Sequence, residues 1–159
     1  MKNQRDVARD YAFLLLKFRM RSRKEIEERL KKKKFSKHII ENTLDYLTGT
    51  GYIDDQVFAR AWVRNRINLK PRSRNLLQYE LLKKGVAKQI IDTAVSDIND
   101  ETEYLTARCI AQTKLKKIKP GQEEKTKAKL FGYLRRRGFN VNLSLQVIKE
   151  VLNYGRKSD

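Results

Sequence analysis

Cysteine is almost missing from this chain: Cys109 stands alone among 159 residues. No disulfide can form within it, which fits a reducing compartment and predicts a cytoplasmic protein. His38 is the only histidine. One Cys and one His, far apart in sequence, are too few for a zinc site of those ligands, so no metal and no cofactor is expected. Two prolines and seven glycines are few. No stretch alternates for long between polar and apolar residues, which argues against strands. No apolar run approaches the ~20 residues that cross a bilayer. The longest near the start, Tyr11 to Leu16, is flanked by charge, and no signal-peptide or lipidation pattern is read. A P-loop, a glycine-rich phosphate cradle and a nucleophile elbow are also missing, so no catalytic residue and no enzymatic activity is expected.

Acidic residues are scarce relative to basic ones. Asp plus Glu is 19 against 37 Lys plus Arg, a net charge of +18. Solubility alone needs a far smaller imbalance, so the charge predicts a polyanionic partner and no membrane role. Apolar residues make up 40% of the chain, enough for a modest core. Leu, Lys, Arg, Glu, Ala and Gln dominate, which favours helices.

The sequence repeats itself. A first segment carries Arg21-Ser22-Arg23, then Ile26, Leu30, Phe35, Ile39, Ile40, Leu44 and Leu47. Shifted by 51 residues, the same roles fall on Arg72-Ser73-Arg74, Leu77, Leu81, Val86, Ile90, Ile91, Val95 and Ile98. Shifted by 104, they fall on Leu130, Leu134, Phe139, Leu143, Ser144, Ile148 and Val151, with Ser144 alone losing its apolar character. Tyr11 maps onto Trp62 and Ala8 onto Ala59. Leu69-Lys70-Pro71 resembles Ile118-Lys119-Pro120 at a shift of 49, which implies about four extra residues in the following loop of the third repeat.

Each repeat reads as three helices, with boundaries at 1–53, 54–99 and 100–159. The first helix spans about 6–19. Ser22 and Glu25 form a capping box for the second helix, and Ser36 is placed to cap the third. Asp54-Asp55 opens the second repeat as a cap, a better account of that acidic pair than a metal or acid–base site. Its third helix is expected to carry Ile90, Ile91, Ala94, Val95 and Ile98. Asp100 and Glu103 suggest a capping box for the third repeat, Gly85 and Gly138 end second helices, and Asn140 caps the last helix. Lys34 stands where the other repeats have glycine, so it must take a left-handed turn or end its helix differently. Trp62 and Tyr11 are read as structural anchors rather than base-stacking platforms, Cys109 as a packed side chain and His38 as a surface residue. The expected fold is all-α: three tandem three-helix repeats in an elongated, curved array.

Basic blocks return at matched places. Lys31, Lys32, Lys33 and Lys34 lie at the junction of the second and third helices; Lys83 and Lys84, and Arg135, Arg136 and Arg137, occupy the same junction in the other repeats. A second set, Arg21, Arg23, Arg72 and Arg74, lies where the first helix meets the second. Arg64 and Arg66 add to the second repeat, and Lys114, Lys116, Lys117 and Lys119 to the third. All are candidate DNA- or partner-contacting residues. Residues 1–53 carry a net +7, 54–100 a net +3 and 101–159 a net +8. That distribution points the two ends toward phosphate and the middle repeat toward protein.

The segments Arg21-Ser22-Arg23-Lys24-Glu25-Ile26, Gly51-Tyr52-Ile53-Asp54-Asp55-Gln56-Val57-Phe58-Ala59, Trp62-Val63-Arg64-Asn65-Arg66, Lys70-Pro71-Arg72-Ser73 and Leu81-Leu82-Lys83-Lys84-Gly85-Val86 strongly resemble the RecX family, over about residues 8–152. The resemblance implies a cytoplasmic, monomeric modulator, mainly an inhibitor, of the RecA recombinase. It implies binding in the groove of the RecA filament on single-stranded DNA, restraint of filament extension, ATP hydrolysis and strand exchange, and a part in recombination, DNA repair and the SOS response. The alternative is a direct, largely non-specific DNA-binding protein of helix-turn-helix type. A purely protein-binding helical scaffold is the third possibility.

Overall fold

Helices begin in this chain where a short polar side chain can accept from otherwise free backbone N–H groups. The computed structural model describes residues 3–155. Asn3 accepts from the Arg5 N–H and opens α1 (Gln4–Phe18). Ser22 opens α2 (Arg23–Lys32) with the capping box complete: its Oγ accepts from the Glu25 N–H at 3.2 Å, and the Glu25 carboxylate accepts from the Ser22 N–H at 3.1 Å. α3 (Lys37–Gly49) follows Ser36, which holds the cap position without a side-chain capping bond. Asp54 Oδ1 accepts from the Gln56 and Val57 N–H groups at 2.8 and 3.0 Å and opens α4 (Asp55–Leu69). Then come α5 (Arg74–Lys83), α6 (Lys88–Ala94), α7 (Asp100–Leu115), α8 (Glu123–Arg136) and α9 (Val141–Gly155). Asn140 Oδ1 accepts from the Leu143 N–H at 2.8 Å and caps α9. No strand occurs among the described residues. The 51-residue period holds at three helix starts, Gln4 to Asp55, Arg23 to Arg74 and Lys37 to Lys88.

Four local expectations are corrected, the first being Cys109, which is exposed on α7 rather than packed. α7 is capped by Asn99, whose Oδ1 accepts from the Thr102 N–H at 2.8 Å, rather than by an Asp100–Glu103 box. Glu103 turns away to serve α5, as described below. α6 stops at Ala94, before Val95 and Ile98. The Ser96-Asp97-Ile98-Asn99 stretch offers side chains that compete for backbone hydrogen bonds, and Asn99 is taken by the next helix start. Finally, α8 begins at Glu123, a full turn before Lys127, the residue that matches Arg23 at the 104-residue shift. Extra residues expected in a loop extend the helix instead, with Glu123 and Glu124 favoured in a first turn by the helix dipole.

The chain divides into two compact units, residues 1–63 with 80–94, and residues 64–79 with 95–159. In the first, α1, α2 and α3 bury Ala8, Ala12, Leu15, Ile26, Leu30, Ile40, Leu44 and Leu47, joined by Ile53. In the second, α7, α8 and α9 bury Ala107, Ile110, Ala111, Leu130, Leu134, Phe139, Val147, Ile148 and Val151. Ser144 is as deeply buried as Ile40 and Ile91, whose place it takes.

Each compact unit contains one joint of the same design. In the first unit, the start of α2 meets the end of α5. Ser22 Oγ donates to the Lys84 carbonyl at 2.6 Å, and the Arg23 N–H donates to Asp55 Oδ1 at 2.9 Å. In the second, the start of α5 meets the end of α8. The Ser73 N–H donates to the Arg137 carbonyl at 2.9 Å, and the Arg74 N–H donates to Glu103 Oε1 at 2.7 Å. A helix start thus receives a carbonyl and a carboxylate from the following repeat, which satisfies groups no helix can satisfy internally. The chain must come so close that no Cβ fits. Gly85 and Gly138 have φ of 75° and 88°. A Cβ on Gly85 would lie 2.2 Å from Lys24 Cδ, and one on Gly138 2.5 Å from Ser73 Oγ and 2.6 Å from Leu76 Cβ. Lys34, the matching residue of the first repeat, is exposed and takes the left-handed conformation itself, with φ 61°.

Charge reinforces the first joint. The Lys84 ammonium lies 2.8 Å from Glu25, and Arg19 pairs with the same carboxylate at 3.1 Å. Burial pushes the Glu25 carboxyl up, but hydrogen bonds from Arg19, Lys84 and the Ser22 backbone outweigh it and hold the group below its ordinary value. For Asp55 the balance reverses: burial raises its pKa despite the Arg23 N–H and guanidinium.

Two outcomes follow for unfolding experiments. Gly138→Ala is expected to lower stability by about 2–4 kcal/mol, from left-handed strain plus steric overlap. Lys34→Gly, at an open site, is expected to raise it by up to about 1 kcal/mol. Equal effects of the two substitutions in urea unfolding would contradict the joint. A depressed carboxyl means that the unfolded chain binds the proton first. The Glu25 contribution is therefore complete above the ordinary carboxylate pKa and is lost as pH falls through the folded value. Asp55 acts in the opposite sense, favouring the folded state when protonated. Glu25→Gln, which keeps the capping hydrogen bond, is expected to flatten the acid limb of the stability–pH curve below about pH 5. An unchanged acid limb would remove Glu25 as its source.

Candidate nucleic-acid interface

The aromatic anchors are set by helix spacing. Trp62 on α4 lies one turn from Phe58 and stacks on it with ring centroids 5.9 Å apart. Its Nε1 donates to Glu80 Oε2 at 2.9 Å. The indole is half-buried and engaged in the fold, as an anchor should be. Above the ring, 4.4 Å from its centroid, sits the Lys84 ammonium. Lys33 lies 5.3 Å over Tyr11 in the first repeat. The two pairs are related by the 51-residue shift. In the third repeat, Arg137 lies 5.0 Å over Tyr133 and Lys114 5.4 Å over the same ring. One cation of every junction block is thus spent on an aromatic face, a contact strengthened by partial desolvation.

This divides the basic candidates into two groups. Arg21, Arg23, Arg74, Lys84 and Arg137 are drawn into the fold. Arg21 Nε donates to the Leu15 carbonyl at 3.3 Å, and burial, then the nearby Arg19, lowers its pKa. Arg23 donates to Thr48 Oγ1 and Asp45 Oδ1, both at 2.9 Å. Arg74 donates to the Ile98 carbonyl at 3.1 Å, a carbonyl left free where α6 stops. Arg137 donates to the Pro71 carbonyl at 3.1 Å. Arg66, Arg72 and Lys114 are half-buried. The second group is exposed: Lys31, Lys32, Lys33 and Lys34 from α2 into the turn, Lys33 remaining exposed although it lies over Tyr11, Arg64 on α4, Lys83 at the end of α5, Lys116, Lys117 and Lys119 after α7, and Arg135 and Arg136 at the end of α8. Arg135 also donates to the Phe139 carbonyl, fixing its stem beside the turn.

One cluster went unread in the sequence. Arg5, from the start of α1, approaches His38 Nε2 at 3.2 Å, and the Asn42 amide lies 3.1 Å from the same nitrogen. All three stand near the start of α3, on the far side of the turn that carries Lys34. Thirty-three residues separate Arg5 from His38, and only the packing of α1 on α3 brings them together. His38 and Asn42, one turn apart on a helix, were the only available signal.

Among the described residues no helix is long and apolar enough to cross a membrane. Each unit by itself presents exposed cations at helix ends, side chains suited to phosphate or carboxylate groups.

Known proteins resemble this chain in sequence and fold. The first three-helix domain of RecX matches residues 8–47, and the second matches residues 54–95. A regulatory protein RecX of Chlorobium phaeobacteroides (strain BS1) is 36% identical over 142 residues, covering 89% of this chain and 91% of that one. One from Mycobacterium sp. (strain KMS) is 31% identical over 150 residues, covering 92% and 82%. The crystal structure of RecX from Lactobacillus salivarius superposes with a TM-score of 0.75 at 20% identity, covering 92% of this chain and 96% of that one, and so supports the fold. With two RecX three-helix domains matched and relatives above 30% identity over most of both chains, the chain belongs to the RecX family of regulatory proteins.

Proposed function

We propose that the protein modulates a RecA recombinase by binding its filament on single-stranded DNA, restraining filament extension, ATP hydrolysis and strand exchange. The observation that carries this reading is the return of exposed cations at matched helix ends, Lys31 to Lys34, Lys83, and Arg135 with Arg136. A repeated spacing of charge suits a repeating polyanion better than a single compact ligand. In this reading the protein acts without catalysis, as a cytoplasmic monomer whose repeats run 1–53, 54–99 and 100–159. Arg21, Arg23, Arg74, Lys84 and Arg137 serve the fold, and the exposed group meets the filament. The Arg5–His38–Asn42 cluster favours a second reading, in which α3 also contacts DNA directly, because Arg and Asn are the side chains that read base edges.

DNA-dependent ATPase of RecA and filament length, measured at substoichiometric amounts of this protein, test the first reading. Both are expected to fall, and no effect at low salt would sink it. If about six phosphates are contacted, log K for single-stranded DNA falls against log salt with a slope of about −4. Replacing Lys32 and Lys34 by Glu is expected to make that slope shallower by about 2. Sequence preference that survives high salt would favour the second reading.

A further inference from the structure

The three repeats serve as internal controls for one another. Four positions that line the outer groove between α8 and α9 can be compared with the other repeats through the two shifts. In the first repeat the matching residues are Glu27, Glu41, Asp45 and Thr48. At the 51-residue shift they become Gln78, Asp92, Ser96 and Asn99. At the 104-residue shift they become Phe131, Leu145, Lys149 and Leu152. Three carboxylates in the first repeat become one in the second and none in the third, where three apolar side chains and a lysine replace them. The core positions change less: apart from Thr43 and Ser144 they keep their apolar character across the repeats.

The result is an open groove of about 490 Å³ between α8 and α9, lined by Phe131, Leu145, Ile148 and Leu152. Leu145 is 54% exposed, although the residue at its place is charged in both other repeats. Glu123 and Glu124 stand at one end, each with an oxygen 3.0 Å from the Lys127 ammonium, and Lys149 is exposed on the rim. The groove also borders the start of α8. At the matching helix starts, α2 and α5 receive the following repeat, and what they receive is a helical element bearing a carboxylate, Asp55 or Glu103. Here α8 runs one turn further back, so the N–H groups at the matching positions lie inside the helix and its free N–H groups fall at Glu123 and the residues after it. Lys149, where the first repeat has Asp45, is left to meet an incoming carboxylate.

We propose that the α8–α9 groove docks an amphipathic helix, apolar on one face and acidic at its flank, presented by the recombinase. The proposal rests on the filament reading above and moves the protein-contacting face to the third repeat, rather than the near-neutral second. Apolar ridges entering a groove between two helices is a common mode of helix recognition. An overall charge of +18 selects an acidic partner over a basic one. Nucleic acid fits poorly, because the floor is apolar and offers a phosphate backbone no donors. A second copy of this chain would bring another +18 with it.

The test uses the full chain, RecA filaments on single-stranded DNA, and the same DNA without RecA. Leu145→Ser, which leaves charge unchanged, is expected to weaken filament binding at least fivefold. Lys149→Glu is expected to weaken it at least tenfold. Both should keep bare-DNA affinity within about threefold of wild type. Both positions are exposed, and unfolding midpoints confirm that each variant is folded; if one is not, the other decides. Wild-type filament binding by both variants overturns the groove and leaves the filament reading standing. Parallel loss on filaments and bare DNA overturns it in favour of a phosphate contact. Wild-type protein that binds DNA but no filament overturns the filament reading, and the recombinase as occupant with it. Self-association abolished by Leu145→Ser would assign the groove to a second copy and overturn the proposal.

Discussion

The meeting of a helix start with a left-handed glycine turn is the contact on which the molecule depends. A helix start has donors without acceptors, and a helix end has acceptors without donors. This chain joins one to the other across repeats: Ser22 to the Lys84 carbonyl, and Ser73 to the Arg137 carbonyl. Hydrogen bonds of that kind contribute only about 1 kcal/mol net when made, but cost more when a buried partner is left alone. Their value is therefore in register as much as in strength. They fix which turn of one helix faces which turn of another, and a glycine at the contact leaves no alternative seating.

The joint also governs what remains for a partner. A net charge of +18 looks like an undivided resource in the sequence. In the fold much of it is committed. Lys84 lies between Glu25 and the Trp62 ring, and Arg137 lies between Tyr133 and the Pro71 carbonyl. The repetition of basic blocks thus has a structural cause: one member of each block lies over an aromatic ring.

Much of the fold was legible because it rests on local chemistry. Periodic apolar residues, Ser22 with Glu25, Gly85, Gly138 and Asn140 placed helices and their ends. What could not be read was which partner a cap serves. Asp55 and Glu103 look like caps for their own helices, yet their acceptors satisfy α2 and α5, 32 and 29 residues away. The end of α6 was missed because apolar spacing at Val95 and Ile98 persists after the backbone leaves the helix. Among the cations, the sequence showed where they lie but not how deeply each sits, since Lys83 is exposed and its neighbour Lys84 is half-buried. Arg5 and His38 were invisible as a pair because nothing local links α1 to α3.

Lys34 has the backbone turn of Gly85 and Gly138 but carries a full side chain. A helix start approaching it as Ser22 and Lys24 approach the Gly85 turn would collide with its Cβ. A side chain at that turn therefore closes it to the seating that the Gly85 and Gly138 turns accept, so one backbone conformation serves two purposes in this chain: a socket where it is glycine, and a solvent-facing lysine where it is not.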